Sequence, residues 1–583
     1  MAYTDNKIFL RVVVIDIHQF QKKKYRFIFT AFIIAFLLLV GKLIYLMIFR
    51  SADLGKRALD IEQRERTIKA ARGKIYDRNG VVLADNQAVC SISVIYYQVK
   101  EPEKVIRLLS KTLGLPEEEV RQKVEKISSR EKIKSNVSKS VADKIREANL
   151  AGIKVDEDYK RYYPCGALAS KVLGFAGADN QGILGLESKY DGILKGTDGK
   201  ILTLTDYQGI ELDNKSEDRI EPVSGKDLYI SLDYNMQCFA QQAAQKVLKA
   251  KKAKSVSVIL MNPQNGEIYS LVNFPEYDLN KPFTLTEEYK SEGKTQNDRL
   301  NNMWRNSVIS DSYEPGSTFK IITAAAALEE HKVTLEDTFY CPGFKIVEDR
   351  KIRCHKTQGH GSETFKQGVM NSCNPVFMEI GARVGAKNML HYYHQLGLYE
   401  KTGVDLPGEA NSIMHRIEKI GAVELATMSF GQSIQITPLQ LMRAVSAGIN
   451  GGRLVTPHLA IERKDAETKE ITEYEYKIRE GAISKETSDT LKGLLEAVVA
   501  EGTGKNGQVE GYRIGGKTAT SEKLPRRSGK YISSFIGFAP ADYPKILGLV
   551  LIDEPQGAYY GGVIAAPVMA EIFQNVLPYL DNL

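Results

Sequence analysis

A chain of 583 residues with a formal net charge of +7 is too long for one ordinary core and predicts two or more domains. Its 43% hydrophobic and 26% charged content is that of a globular protein. The basic excess is modest and the aromatics are dispersed, with no zinc-finger spacing, Walker loop or short repeat, so nucleic-acid binding is excluded as a reading.

The first element is an apolar run, Phe27 to Gly41, interrupted by Lys42 and resumed from Leu43 to Phe49. Together the two parts reach the ~20 residues that a bilayer helix needs. Lys42 lies near one end, where its ammonium can snorkel toward headgroups. Lys7, Arg11, Lys22, Lys23, Lys24 and Arg26 precede the run against only Asp5 and Asp16. By the positive-inside rule residues 1–26 stay cytoplasmic and everything after Arg50 is exported. A cleaved signal peptide would be shorter and end in small residues, which Tyr45-Leu46-Met47-Ile48-Phe49 does not offer. The expectation is a single uncleaved span over 27–49, embedded in a lipid bilayer.

Ser51 to Lys69 is polar and charged and predicts a helix or stalk. Asn79-Gly80, within Arg72-Gly73-Lys74-Ile75-Tyr76-Asp77-Arg78-Asn79-Gly80, marks a hairpin turn. From Glu101 to Asn149 the apolar spacing predicts helix, as in Val120-Val124-Ile127. Two turn-rich segments come next, Arg161 to Gly166 and Gly182 to Glu187. These stretches make a first exported domain over 50–220, and a second occupies 221–583. The second opens with a strand over Leu228–Asp233 and an amphipathic helix over Asn235–Ala250. Ser255–Leu260 and Glu267–Val272 flank the turn Pro263-Gln264-Asn265-Gly266 as a hairpin. Tyr531–Phe538 and Ile546–Asp553 add strands, and Pro567–Leu577 a closing helix. Strands at both ends with helices between them predict an α+β domain, an antiparallel sheet with helical layers.

Within that domain Ser317-Thr318-Phe319-Lys320 opens an apolar helix. A serine and a lysine three residues apart share one helical face, which lets an amine activate a hydroxyl without histidine. The spacing alone is weak, since Ser129 to Lys132 and Ser291 to Lys294 repeat it. The Ser317 copy is set apart by its order in the chain, ahead of Ser372-Cys373-Asn374 and then Lys517-Thr518-Ala519-Thr520. By itself the former reads as a helix cap and the latter as an edge strand. Lys401-Thr402-Gly403 opens a turn-rich loop and is assigned a structural role.

Six cysteines are too few for a disulfide scaffold. Cys341 and Cys354 flank a candidate hairpin, Pro342 to Arg353, and both a bridged and a reduced pair are compatible with export. A zinc site from Cys341, Cys354, His355 and His360 matches no common ligand spacing, so no metal and no cofactor are expected. Cys90, Cys165 and Cys238 read as small buried hydrophobes.

The ordered trio Ser317-x-x-Lys320, Ser372-x-Asn374 and Lys517-Thr518-x-Thr520 resembles the motifs of penicillin-binding proteins and serine β-lactamases. With Arg72 to Gly80, Arg161-Tyr162-Tyr163-Pro164, Gly182 to Glu187 and Gly403 to Glu409, the chain is similar to class B penicillin-binding proteins. The resemblance implies a membrane-anchored peptidoglycan D,D-transpeptidase with an elongated pedestal (dimerisation) domain over 50–220. Its transpeptidase domain over 221–583 would pair an antiparallel sheet with an all-helical lobe. Ser317 would be acylated by a stem peptide or a β-lactam, with Lys320 as base and Ser372 as proton relay. Asn374 would position the substrate amide, and Lys517 and Thr518 would bind the terminal carboxylate. Backbone N–H groups of Ser317 and Thr520 would form the oxyanion hole. The implied partners are stem peptides on nascent glycan, a membrane-embedded glycosyltransferase and β-lactams, at the bacterial cell membrane and in a division or spore-septum role. A weak scaffold, a β-lactam sensor and an anchored β-lactamase are the alternatives. Ala519 stands where the family has glycine.

Overall fold

The computed structural model describes residues 5–51, 53–54, 63–128, 130–204 and 218–582. Ser129 of the first competing Ser-x-x-Lys spacing, and residues 55–62 of the expected stalk, lie outside them. Asp5–Ile44 is one helix, continued by a wider turn over Tyr45–Phe49. Its part Lys22–Phe49 is long and apolar enough to cross a membrane, and none of that surface is buried by protein. The helix Gly561–Asp581 meets the same criterion of length and composition but is mostly buried, as a core helix is. The first of the two is the candidate anchor.

The rest of the chain forms two compact units, one of residues 90–156 and 199–221 together with the N-terminal 68, the other of 69–89, 157–198 and 222–583. In the first unit, helices Pro102–Leu113, Glu117–Val124 and Lys139–Glu147 and the strand Glu131–Ser138 bury Val105, Leu109, Val120, Ile133, Val137 and Ile145. The sequence predicts continuous helix there. Ile133 and Val137 are four residues apart, a separation that serves a helix face and a strand face equally well, and the strand prevails. Gln63–Ile68, expected as stalk, is a strand paired antiparallel with Gly199–Leu204.

In the second unit a five-stranded antiparallel sheet runs in the order Ile268–Phe274, Ser255–Met261, Ile546–Asp553, Tyr531–Ala539, Gly515–Glu522. It is buried on both faces, so its strands read as nearly unbroken apolar runs. Val256, Val258 and Leu260 point to one face, against helices Tyr234–Lys251 and Ala566–Asp581. Ile259, Leu549 and Ile536 point to the other, where a helical lobe packs. That lobe includes Lys320–Glu329, Asn374–Val384, Pro438–Ile449 and Lys485–Ala500. The fold class is α+β, as expected. The strand expected over Leu228–Asp233 stops at Ile230, because the Asp233 carboxylate accepts from the N–H groups of Asn235 and Met236 and caps the next helix.

The motifs upstream of the sheet meet in one buried ion cluster of the same unit. Arg72 Nε lies 2.5 Å from Glu187 Oε2, and Arg161 Nε lies 2.6 Å from Glu187 Oε1. Arg72 also reaches Asp191 at 2.7 Å, and the Tyr163 hydroxyl donates to Glu187 at 3.2 Å. Nearby, Asp405 accepts from the Tyr190 hydroxyl and from the N–H groups of Leu459 and Ala460, each at 2.8 Å. These residues tie segments 69–89, 157–198 and 222–583 of the second unit together.

Candidate active site

Ser317 lies in a single 3₁₀ turn, Gly316–Phe319, that leads into the helix Lys320–Glu329. In such a turn residues three apart eclipse, which aligns Ser317 and Lys320 more closely than an α-helix would. Gly316 has φ of 58°, and a β carbon there would lie 2.3 Å from Ser521 Oγ, so the turn can sit against the sheet edge only with glycine. Upstream, Glu314 accepts from the Ser433 N–H at 3.0 Å and pairs with Arg526, tying the turn to two further loops.

Lys320 is 1% exposed and spends all three ammonium donors on the second motif. Its Nζ lies 2.7 Å from Ser372 O, 3.2 Å from Ser372 Oγ and 2.7 Å from Asn374 Oδ1. Burial lowers its pKa from the usual 10.5 to about 8. Sequence spacing places the amine beside Ser317; the structure shows that the resting amine is moored to Ser372 and Asn374 instead. Ser372 itself is held at φ of 54°, a left-handed conformation uncommon for a side-chain-bearing residue. The segment is also a helix start, as its local text suggests, since Asn374 and Pro375 open the helix Asn374–Val384. The Asn374 amide donates to Arg353 O at 3.2 Å.

The third motif lies on Gly515–Glu522, the edge strand of the sheet, with Lys517 opposite Ile536 and Thr520 opposite Ser533. Lys517 is fully buried, and among the described residues its ammonium meets only Thr518 O, at 3.2 Å. Desolvation, reinforced by the neighbouring charge of Lys320, pushes its pKa well below the ordinary lysine value. No carboxylate of the described residues pairs with it, so this buried amine, next to the cleft-lining Thr518, has no protein anion opposite. Thr518 Oγ1 lies 3.2 Å from Thr503 Oγ1, and Thr520 Oγ1 accepts from the Gly561 N–H at 2.9 Å. A β carbon on Gly561 would fall 2.2 Å from Ala519 O, so glycine is required for that approach. Ala519 is buried, its methyl on the Gly316 side of the strand, where a β carbon on Gly316 would lie 3.7 Å away. It packs under the Gly316–Phe319 turn, on the face opposite Thr520.

These groups border a cleft of about 460 Å³ lined by Ser317, Ser372, Asn374, Thr518, Ala519 and Thr520. Sequence reasoning did not find its tyrosine lining, where Tyr531 stacks on Tyr559 at 4.2 Å and Tyr559 on Tyr560 at 4.7 Å. Nor did it find Thr503, whose signal was the Gly502-Thr503-Gly504 turn. The competing text lies elsewhere. Ser291 and Lys294 are exposed in a loop, and Thr402 is bound to Glu409 at 2.6 Å in a turn beside an exposed Lys401. Cys341 and Cys354 are free thiols, and Cys354 shares a proton with Cys373, whose S–H holds the Cys354 thiol low while its own is pushed up.

The description "Penicillin binding protein transpeptidase domain" matches residues 256–574, and "Penicillin-binding Protein dimerisation domain" matches residues 67–230. Stage V sporulation protein D of Bacillus subtilis (strain 168) is 40% identical over 570 residues, covering 96% of this chain and 86% of its own. Probable peptidoglycan D,D-transpeptidase PenA of Neisseria meningitidis is 31% identical, with 95% and 92% of the two chains covered. The crystal structure of Penicillin Binding Protein 2X from Streptococcus thermophilus aligns with a TM-score of 0.74 at 22% identity, over 89% of this chain and 80% of that one. At that identity the likeness shows the fold alone.

Proposed function

The chain belongs to the penicillin-binding protein transpeptidases, and from that premise we propose that it cross-links peptidoglycan stem peptides through an acyl-enzyme on Ser317. The observation that carries the site assignment is the buried Lys517 with no anionic partner among the described residues, beside the cleft that Ser317 lines. A peptide ending in D-Ala-D-Ala supplies the missing carboxylate, which Lys517 and Thr518 receive by charge and hydroxyl donation. That anchors the penultimate carbonyl near the Ser317 hydroxyl, with the backbone N–H groups of Ser317 and Thr520 as oxyanion donors. Ser317 Oγ bonds to the carbonyl carbon as its proton passes to neutral Lys320. The C–N bond then breaks, and Ser372 returns a proton to the departing D-alanine amine. An amine of a second stem peptide attacks the ester, forming the cross-link and restoring the serine proton. Asn374 orients the donor amide, and an extended stem can lie along the edge strand Gly515–Glu522 as an added strand. β-Lactams, which mimic the acyl donor, are expected to acylate the same serine.

Residues 1–26 are assigned to the cytoplasm on their basic excess, and 27–49 to the membrane. Residues 50–220 are the pedestal and 221–583 the extracytoplasmic transpeptidase domain. A membrane-embedded glycosyltransferase is the partner that the reaction requires upstream, since the donor stems arrive on nascent glycan. The similarity to a sporulation protein supports a septal role.

Mass mapping of the full-length protein after reaction with penicillin should place one adduct on the Ser317 peptide. A D-Ala-D-Ala pentapeptide should release D-alanine. An adduct on another residue, or none, removes the assignment. The rate of acylation should also depend on pH. Lys320 titrates near 8 in the folded protein against 10.5 unfolded, so the neutral base accumulates as pH rises through 8. Acylation should climb about tenfold per pH unit below that point and level off above it. A flat profile between about pH 6 and 9 would exclude Lys320 as the base.

A further inference from the structure

A second cavity, of about 540 Å³, closes one end of the five-stranded sheet and includes none of the three catalytic motifs. Ser255 and Phe274 line it from the first residue of one strand and the last residue of its neighbour. Asp553 lines it from the end of the next strand, and Lys523 from just beyond the edge strand Gly515–Glu522. Lys523 is three residues past Thr520, about 10 Å along an extended chain, so this cavity and the catalytic cleft border the same sheet edge.

Three of the four cations on the lining are matched by an acid. Lys254 lies 3.3 Å from Glu292, Arg305 Nε 2.5 Å from Asp311, and Lys523 2.8 Å from Asp553. Glu288, the remaining carboxylate, is exposed to water. The fourth cation, Lys171, is only 6% exposed. Among the described residues no carboxylate is in ion-pair contact with it; its ammonium donates to the Tyr289 hydroxyl at 3.1 Å and lies 5.5 Å from that ring's centre. Glu276, a buried acid of the same region, is bound elsewhere, by the Asn273 N–H at 3.1 Å and by the N–H and hydroxyl of Ser170. Burial accordingly lowers the pKa of Lys171 from 10.5 to about 8. A buried ammonium with one neutral acceptor is unfavourable, and an anion supplied from outside relieves it.

We propose that this cavity binds a second stem peptide, the acceptor, with Lys171 receiving its free terminal carboxylate. The identity of the peptide rests on the reaction proposed above; the want of an anion at Lys171 does not. One unmatched cation fits one carboxylate, whereas a doubly charged phosphate would need further cations, which the acids of the rim already hold. Asn273 and Ser307, hydrogen-bonded at 3.1 Å, and Asn302 present amide and hydroxyl groups to a peptide backbone. Phe274 and Tyr289 offer apolar faces to alanine methyl groups. The cavity is larger than the 460 Å³ of the catalytic cleft, a size for a short peptide and not for a single amino acid. In the reaction at Ser317 the donor loses its terminal D-alanine, while the acceptor keeps its carboxylate. Once Ser317 is acylated, Lys171 therefore reads the strand that has not reacted and holds it on the sheet edge that the donor occupies.

The test uses the full-length protein in detergent with Ser317 saturated by penicillin, so that the catalytic cleft is filled. Titration calorimetry with diacetyl-L-Lys-D-Ala-D-Ala, whose acetylated amines cannot attack the ester, should show one peptide bound per acylated chain. Its C-terminal carboxamide should bind at least about tenfold more weakly, and Lys171→Gln should weaken binding of the free acid by the same factor. Asn302→Trp, at an exposed helix position of the lining, should also cost about tenfold in affinity by obstructing the cavity, and it decides the matter if Lys171→Gln does not fold. The proposal is overturned if the acylated chain binds no peptide, if acid and amide bind equally, or if Asn302→Trp binds as the native chain does. Displacement of the peptide by an equal concentration of inorganic phosphate overturns it as well. Penicillin on Ser317 with no bound peptide strikes this site alone. A peptide bound through Lys171 to a chain that penicillin does not label leaves this site standing and removes the Ser317 reading.

Discussion

Acylation of the Ser317→Ala protein by a fluorescent penicillin should fall below detection while the protein stays folded. Ser317 is only partly buried at the cleft and contributes little packing, so its loss removes chemistry without opening a cavity. Lys320→Met is the informative companion. The methionine fills the lysine stem's place beside Phe377, and the serine remains, yet the base is gone. General-base catalysis contributes about 10²- to 10⁴-fold, so acylation should slow by that factor and the rise near pH 8 should disappear. Ser372 O, Ser372 Oγ and Asn374 Oδ1 also lose their donor, at a stability cost of about 1–3 kcal/mol. Stopped-flow measurement of acylation separates the two variants. Label on Ser317→Ala equal to that on the native chain would end the nucleophile assignment.

The second large effect lies far from the chemistry. Glu187→Ala should destabilise the second compact unit by about 3–5 kcal/mol, because it leaves the side chains of Arg72 and Arg161 buried without their main counter-charge. Asp191 relieves Arg72 in part, being its other partner at 2.7 Å. Calorimetry should show a melting temperature lowered by on the order of 10 °C. The rate of acylation, measured well below that transition, should hardly change, since none of these residues lines the cleft. A loss under about 1 kcal/mol would mean that the cluster is hydrated and not a closed ion network.

The sheet was legible because it is buried on both faces: Val256 to Met261 and Ile546 to Ile552 read as strand from their unbroken β-branched and aliphatic text. The three motifs at Ser317, Ser372 and Lys517, which the fold brings together, were singled out by order and not by spacing, and the exposed Ser291–Lys294 copy lies apart from them. What failed was whatever depends on a distant partner. Gln63–Ile68 carries Arg64, Glu65 and Arg66 and becomes a strand only by pairing with Gly199–Leu204. Glu131–Ser138 was hidden because its two core residues fit either period. Cys373 was visible only as the variable letter of a motif, and no local rule connects it with Cys341, Cys354 and His360. The mooring of Lys320 to Ser372 and Asn374 likewise depends on a left-handed turn that sequence alone does not specify.

The strand order of the catalytic sheet also dictates a timetable. Ser255–Met261 has as its inner neighbour Ile546–Asp553, which is made far later, with Val258 beside Val550. Until that late strand is inserted, the early hairpin and the pair Gly515–Glu522 and Tyr531–Ala539 have no common sheet. Closure across so long a stretch of chain is slow. Two apolar half-sheets must therefore be shielded until the strand Ile546–Asp553 joins them. A chain cut before residue 546 has two separate hairpins and no joined sheet, so it should aggregate and not merely lose activity.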